Sequence, residues 1–322
     1  MTAFANYERI VATEDAMRHH DDKLTKEDRD RLAVALLAYR SEYELGRRAH
    51  PEVPLARTKA DVRQSDWHRV ASGKGVLLLH NLRLEMGAEK FDAMMEDFGK
   101  RHGGQRVGTE EFRAFAEKAA DRKLDQFFDR WLQDTGLPKP AERGKSSEAV
   151  TGLDGGPLSV LTFLSELEQT LIVYGTQAET ASNREAALEM QKGLIERGPN
   201  ITVAIKSDRE VTDDELKTHH VLLIGRPDTN SVVARVRSAL PVTFGRQSFA
   251  VRGDTYAHAN SAVVTAAENP LDKRYSIVVA AGMSAASTLR TASQLAHVGM
   301  TAEVIVYPSG AAPKGMIVPA KE

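Results

Sequence analysis

Four apolar patterns of helical period follow one another between Ser72 and Pro138. Apolar residues recur three, four and seven positions apart, which places them on one face of an α-helix. The patterns are Val76, Leu77, Leu78, Leu79, Leu82 and Met86; Phe91, Met94, Met95 and Phe98; Phe112, Phe115, Ala116 and Ala119; and Leu124, Phe127, Phe128, Trp131 and Leu132. Because the first is apolar on most sides, it predicts a buried helix.

Two more helices are predicted ahead of these. Residues 3–20 carry an apolar side that includes Phe4 and Tyr7. Thr25 precedes Lys26-Glu27-Asp28 and predicts the N-cap of a helix to about Arg48. Thr109, before two glutamates, is predicted as an N-cap in the same way.

A change of composition divides the chain after this helical part. Residues 139–160 are rich in Gly, Pro, Ser and scattered charges, as is typical of a linker. We therefore predict a helical region at 1–138, a linker at 139–160 and a separate domain at 161–322.

The last region alternates between apolar strands and helices. Strands are predicted at 170–174, 201–205, 220–224, 275–280 and 302–307, helices at 183–197, 230–240 and 284–298, turns at 178–183 and 269–273, and an antiparallel stretch at 243–267. Fully apolar strands separated by helices predict a mostly parallel sheet covered on both faces. The fold class is therefore α plus α/β, with a doubly wound, Rossmann- or flavodoxin-like second domain.

The amino-acid sequence of the helical region resembles that of one protein family. The relevant blocks are Gly73-Lys74-Gly75 opening a helix, Leu82-Arg83, Met86-Gly87, Phe91, Phe127-Phe128-x-x-Trp131-Leu132 and Gly136-Leu137-Pro138. Their order and spacing resemble the C-terminal part of the catalytic domain of the gluzincin zinc aminopeptidases, the family of alanyl aminopeptidase and leukotriene hydrolase.

The catalytic groups that this resemblance implies are missing from the chain. A zincin binds its metal through the two His of H-E-x-x-H and uses the Glu as general base, and no H-E-x-x-H occurs here. Laying Ala3-Phe4-Ala5-Asn6-Tyr7 on the family's Glu-Gly-Phe-Ala-x-Tyr segment puts Thr2 at the position of the third zinc ligand. The family's oxyanion-stabilising Tyr corresponds to Ser72.

The resemblance therefore implies the C-terminal portion of an aminopeptidase-like metallopeptidase that is inactive alone. The intact family uses zinc to remove N-terminal residues from peptides, whereas we expect no cofactor in this chain. The expected partners are a peptide substrate and a zinc-bearing half, upstream or in another protein.

Three loops of the second domain follow strand ends, where α/β sheets place ligands. They contain Gly175 and Thr176, then Arg226, Asp228 and Asn230, then Gly282 and Ser284. None has a G-x-G-x-x-G or a P-loop pattern, so nucleotide binding is not predicted. These loops support an alternative hypothesis, a non-catalytic binding or scaffold protein.

Ser284 supports a further alternative. Gly282-x-Ser284 approaches a nucleophile elbow, which would make the protein a serine hydrolase. However, the elbow's second Gly is Ala286, and the sequence after Ser284 does not supply an acid followed by a His. We interpret Ser284 as a helix N-cap.

Histidine and charge patterns add little further chemistry. His19-His20 beside Asp21-Asp22 is interpreted as a polar helix end, because adjacent helical positions do not face each other. His219-His220, at a predicted strand start, is interpreted as structural. The net charge of −2 argues against a nucleic-acid partner. With no Cys, redox compartment cannot be inferred.

The location of the protein is left open by the sequence. The first 20 residues show no signal peptide, and no apolar run is long enough for a membrane span. We expect a soluble protein, cytoplasmic by default or exported if the N-terminus is truncated.

Overall fold

The structure of the chain, a computed structural model, describes residues 2–17, 24–49, 51–61, 66–138, 149–197, 200–299 and 301–318. The chain divides into two compact units, Met1–Leu32 with Glu42–Leu153 and Ala33–Ser41 with Asp154–Glu322. We call them the helical unit and the α/β unit. Residues 139–148 of the predicted linker, and the His19-His20-Asp21-Asp22 run, lie outside the described residues.

Helices account for the regular structure of the first 138 residues. They are α1 (Thr2–Met17), α2 (Lys26–Ala49), α3 (Asp66–Met86), α4 (Ala88–His102), α5 (Thr109–Ala120) and α6 (Asp125–Leu132), with a 3₁₀ turn at Leu55–Arg57. The middle of α2, Ala33–Ser41, groups with the α/β unit. Within the described ranges, no helix combines the length and apolar character needed to cross a membrane.

Helix starts only partly follow the prediction. Thr25 caps α2 as expected, since Asp28 N donates to Thr25 Oγ1 (3.2 Å) while Thr25 N donates to the Asp28 carboxylate (3.1 Å). The prediction for Thr109 was wrong, because Gly108 is the N-cap of α5 and Thr109 is its first residue.

The glycines at 73 and 75 lie inside α3, which begins at Asp66, so the expectation that they open the helix was wrong. The close approach of α1 explains why a residue without a side chain is needed at Gly75: a Cβ there would lie 2.7 Å from Ala3 Cβ.

Aromatic rings form the centre of the helical unit. Phe112 makes edge-to-face contacts with Phe4 (centroids 5.4 Å apart), Phe98 (5.2 Å) and Phe128 (6.4 Å). Because these rings come from α1, α4, α5 and α6, four helices share one core.

The α/β unit contains ten strands and four α-helices among its described residues. In chain order they are β1 (Thr170–Tyr174), α7 (Thr180–Arg197), β2 (Ala204–Ser207), α8 (Asp213–Thr218), β3 (His220–Ile224), α9 (Ser231–Val236), β4 (Thr243–Phe244), β5 (Phe249–Val251), β6 (Asp254–Tyr256), β7 (Ala262–Glu268), β8 (Ser276–Gly282), α10 (Ala285–Leu295), β9 (Val304–Tyr307) and β10 (Lys314–Met316). Two 3₁₀ segments, Thr162–Gln169 and Arg237–Ala239, complete the unit. Helix α7 begins at Thr180, inside the segment that we predicted as a turn.

The main sheet is mixed, not mostly parallel. Seven strands lie in the order β10-β9-β7-β8-β3-β1-β2. The pairs β1–β2, β1–β3 and β3–β8 are parallel, whereas β7–β8, β7–β9 and β9–β10 are antiparallel. β7 runs against β8 because the turn that joins them, closed by Asn269 N donating to Tyr275 O (3.0 Å), is too short for a crossover.

Both faces of this sheet are covered. On one face Ile172, Leu222 and Val278 pack with apolar residues of α7 and α10. On the other face Val173, Leu223 and Val279 pack with α8, α9 and the strands of the small antiparallel sheet β4-β5-β6. The strands are apolar on both sides for this reason.

Candidate functional site

Helices α1 and α3, which carry the two positions that the family resemblance singles out, pack against each other. Thr2 begins α1, and Asn6, one turn later, donates from Nδ2 to Ser72 Oγ on α3 (2.9 Å). Ala3 lies against Gly75 at the same contact. The helix matched to the zinc-ligand Glu therefore touches the helix matched to the oxyanion Tyr, beside Ser72.

Lys74 connects two of the sequence blocks behind the resemblance. It is 1% exposed, and its Nζ donates to Asp134 O (2.7 Å), just before Gly136-Leu137-Pro138. Gly136 N in turn donates to Glu52 Oε1 (2.8 Å), which also accepts the Tyr43 hydroxyl. Burial lowers the pKa of Lys74 from its usual value.

A buried arginine ties α1, α3 and α4 together. Arg83 donates from Nη1 to Glu14 Oε2 (2.9 Å) and from Nε and Nη2 to the two carboxylate oxygens of Asp92 (2.8 Å each). The side chains of Arg83 and Glu14 are 4% and 9% exposed. Burial opposes the charge of Arg83, but the paired carboxylates raise its pKa above the usual value.

A tyrosine and a histidine lie beside this network. Tyr7 OH and His80 Nδ1 are 3.3 Å apart, and His80 Nε2 lies 2.6 Å from Val150 O. Burial raises the pKa of Tyr7 and lowers the pKa of His80, so both stay neutral near pH 7. The described residues form no cluster of three or more His, Cys, Asp or Glu arranged to hold a metal ion.

The predicted ligand loops of the α/β unit meet at the carboxyl ends of β1, β3 and β8. Gly175 N donates to Ile224 O (3.1 Å), and Gly225 N donates to Ala280 O (3.0 Å). Arg226 Nη1 donates to Gly282 O (2.7 Å). The structure thus brings together three loops that are far apart in sequence.

Asn230 fills the crevice between β1 and β3. It is fully buried, and its Nδ2 donates to Val173 O (3.2 Å) and Ile224 O (3.0 Å). Its Oδ1 accepts from Val232 N (2.9 Å) and Val233 N (3.1 Å), which caps α9. An Asn that bridges strand ends and caps a helix has no hydrogen-bonding group left for a ligand.

Asp208, which sequence reasoning missed, holds the neighbouring loop. It accepts from Thr176 N (3.1 Å), Thr176 Oγ1 (2.6 Å) and Ser231 N (2.7 Å). Burial raises the pKa of Asp208, but these hydrogen bonds outweigh it and hold the pKa below its usual value. The residue follows β2, so a strand-end position was its only signal in the sequence.

Arg226 is held by acidic neighbours. Its guanidinium donates to Glu179 Oε1 (3.0 Å) and Asp228 Oδ1 (3.1 Å). Glu179 has a positive φ of 54°. Glu179 Oε2 and Asn183 Oδ1 are buried acceptors with no hydrogen-bond donor among the described residues. With two carboxylates on one guanidinium, this edge of the sheet does not attract anions.

Ser284 is the N-cap of α10. Its Oγ accepts from Ser287 N (3.2 Å), and its own N donates to Ser287 Oγ (2.9 Å), which forms a capping box. The Ser284 hydroxyl donates to Ala259 O (2.8 Å). In the described part of the chain, no hydrogen bond joins Ser284 to a histidine, and the geometry favours the capping role.

Comparison with known proteins adds no relationship. No protein-family model matches the chain, and no curated protein gives a significant match.

A hydrogen-bonded Ser–His–Glu cluster lies at the amino ends of strands β3 and β8, opposite the loops described above. His220 Nδ1 is 2.8 Å from Ser276 Oγ, and His220 Nε2 is 2.9 Å from Glu166 Oε2. Arg274 donates to both carboxylate oxygens of Glu166 (2.9 and 2.5 Å). Sequence reasoning missed it because the contacting pairs are 54, 56 and 108 residues apart in the sequence.

The hydrogen bonds link serine, histidine and acid in the same order as in a catalytic triad, but the burial of these residues contradicts a catalytic role. Ser276 and His220 are both 0% exposed, at the amino ends of β8 and β3. A nucleophile has to reach its substrate, and Ser276 does not reach the surface. We assign this cluster a structural role: it joins the starts of β3 and β8 to the 3₁₀ segment before β1.

Proposed function

We propose that the chain is the C-terminal portion of an aminopeptidase-like metallopeptidase, contributing to peptide binding while lacking zinc chemistry of its own. One observation carries the proposal: helices α1 and α3 pack against each other through the hydrogen bond from Asn6 to Ser72. The resemblance matches Thr2, one turn before Asn6 on α1, to the zinc-ligand Glu and Ser72 on α3 to the oxyanion Tyr. In this proposal the α/β unit is an accessory domain of doubly wound type.

The residues at the matched positions cannot perform the family's chemistry. A serine hydroxyl at 72 does not reach as far as a tyrosine phenol, and Thr2 supplies no carboxylate. What remains is a helical surface that contacts substrate when the zinc-bearing residues come from elsewhere.

The first experiment measures zinc content and hydrolysis of aminoacyl-anilides by the purified chain, with added zinc and with chelator. We expect no stoichiometric zinc and no chelator-sensitive hydrolysis, because no H-E-x-x-H is present. Chelator-sensitive turnover that scales with bound zinc would show a metal site of the chain's own and overturn this part of the proposal.

The second experiment tests peptide binding by NMR. A tripeptide with a free N-terminus is titrated into isotope-labelled protein, and we expect saturable shifts of amides in α1 and α3. The same peptide should shift them less in Ser72→Phe, where a bulky ring would occupy the contact beside Asn6. Shifts confined to the α/β unit would instead favour the binding-protein alternative with its loops at Gly175, Arg226 and Ser284.

A further inference from the structure

A cavity of about 380 Å³ lies among the helices of the helical unit. Side chains or backbone from α1, α3, α4, α5 and α6 line it, together with the 3₁₀ turn at Leu55–Arg57. None of its lining residues is charged. It is independent of the proposed peptidase relationship, because no zinc chemistry and no matched catalytic position is needed for it to bind a ligand.

Aromatic rings define the character of the cavity. Phe4, Phe98, Phe112 and Phe128 all line it, and the edge-to-face contacts among them fix the ring orientations. Phe112 and Phe128 are buried, whereas Phe4 and Phe98 are partly exposed. Preorganised rings of this kind favour a flat apolar guest, since its edges and faces can pack as the phenyl groups pack with each other.

The volume of the cavity limits the size of the guest. An apolar cavity of about 150 Å³ is enough to hold benzene. At about 380 Å³ this one is more than twice as large, and it falls near the lower end of ligand pockets, which begin at about 300 Å³. Two aromatic rings, or an alkylated ring of similar bulk, match it.

The uncharged lining selects against ions. A charged guest would lose its hydration in the cavity and find no oppositely charged side chain among the lining residues that the structure describes. The polar side chains available are the hydroxyls of Thr58 and Thr109, which suit one neutral polar group.

We propose that this cavity is a binding site for a small uncharged molecule with about two aromatic rings or an equivalent apolar body. The ligand enters between the phenyl rings of α1, α4, α5 and α6 and leaves any neutral polar group near the two threonines. The site adds a small-molecule binding function to the helical unit.

The test is a fluorescence titration of the purified chain with N-phenyl-1-naphthylamine, an uncharged probe with a naphthalene and a phenyl ring. We expect a saturable rise in emission with about one probe per chain and micromolar affinity, as a pocket of this size allows. The anionic analogue 8-anilinonaphthalene-1-sulfonate should bind at least about tenfold more weakly, because its sulfonate would lose hydration beside a lining in which the structure describes no cationic side chain.

A pair of variants locates the site. Ala71 lines the cavity, so Ala71→Met fills part of it and should weaken binding of the uncharged probe about tenfold or more. Ala114→Met is the matched control, since Ala114 is exposed on α5 and does not line the cavity. It should leave the affinity unchanged.

A second blocking variant separates loss of binding from loss of folding. Ala56 lines the cavity but is exposed in the 3₁₀ turn, so Ala56→Phe should block the cavity without disturbing the core. The proposal is overturned if the uncharged probe does not saturate, if the anionic analogue binds equally well, or if folded Ala71→Met and Ala56→Phe both bind the probe as the parent chain does.

Discussion

Arg83 in the helical unit and Asn230 in the α/β unit, both buried, find their hydrogen-bond partners in different ways. In the helical unit the buried charge of Arg83 is met by other side chains, Glu14 and Asp92. In the α/β unit, Asn230 and Asp208 bind mainly backbone groups at the ends of strands and the start of α9. Helices satisfy their own backbone and are joined by side chains, whereas strand ends leave backbone groups that side chains have to satisfy.

This difference determines how much space each region leaves for a ligand. At the carboxyl ends of the strands, a polar side chain of the type that binds ligands is already hydrogen-bonded to the backbone, as the four hydrogen bonds of Asn230 show. Among the helices, side chains alone fill the space, and they leave a cavity of about 380 Å³. The helical unit therefore offers the more open site.

Removing the arginine should have the largest effect on stability. Arg83→Ala removes the guanidinium that pairs with the buried Glu14 carboxylate, and breaking a buried ion pair typically costs about 3–5 kcal/mol. Both tryptophans, Trp67 and Trp131, belong to the helical unit, so urea unfolding followed by tryptophan fluorescence reports this unit directly.

The double variant Glu14→Gln/Arg83→Met is the control, since it removes the buried charges together and should regain part of the stability. If Arg83→Ala costs less than about 1 kcal/mol, the network behaves as a surface ion pair, and the contrast between the two units fails.

Acid should weaken the α/β unit through Glu166. Burial would raise its pKa, but hydrogen bonds from His220 and Arg274 lower it from 4.5 to about 2. Because the folded pKa is depressed, the stabilisation is present above pH 4.5 and is lost as pH falls towards 2; it amounts to about 3 kcal/mol.

Urea unfolding followed by far-ultraviolet circular dichroism between pH 6 and pH 2 would measure this effect. Glu166→Gln has no carboxylate to protonate, so its stability should change less over that interval. An unchanged pH slope in this variant would contradict the assignment.

Asn230→Ala should weaken the same unit by about 2 kcal/mol, because the four hydrogen bonds of the Asn230 side chain, to two backbone carbonyls and from two backbone amides, are lost. Native-state hydrogen exchange should show faster exchange in β1, β3 and the first turn of α9. Asn260→Ala is a matched control, since Asn260 is exposed. Equal protection in the two variants would mean that Asn230 does not hold the crevice closed.

Ser284→Ala should have the smallest effect, about 1 kcal/mol from loss of the capping box. Ser284→Asp should restore most of it, because a carboxylate also caps a helix. A fluorophosphonate probe should not label the parent chain at this serine; labelling that disappears in Ser284→Ala would instead support the serine-hydrolase alternative.

The elements of the fold were more predictable than their directions and contacts. Apolar periodicity located α4 and α6 through Phe91 and Phe128, because burial of one helix face leaves a mark in the sequence. The antiparallel stretch predicted at 243–267 covers most of β7, but the pattern did not place this strand inside the main sheet beside β8 and β9.

The site was predictable at the level of loops and not of individual roles. Strand ends singled out the loops of Gly175, Arg226 and Gly282, which lie side by side in the structure, while their role in ligand binding stays a prediction. Asn230 was predicted in a ligand loop, although a residue preceding Ser231-Val232-Val233 also fits an N-cap. The contacts of Glu166 with His220 and Arg274 depend on tertiary packing, which no local pattern reports.

The position of β7 in the sheet also sets an order of events during synthesis. β1, β2 and β3 can pair as soon as they leave the ribosome, but both neighbours of β7, namely β8 and β9, are made after it. Until Tyr307 has emerged, β7 has an unpaired edge that can associate with other nascent chains. A pause in translation between β7 and β9 would therefore prolong the exposure of this unpaired edge.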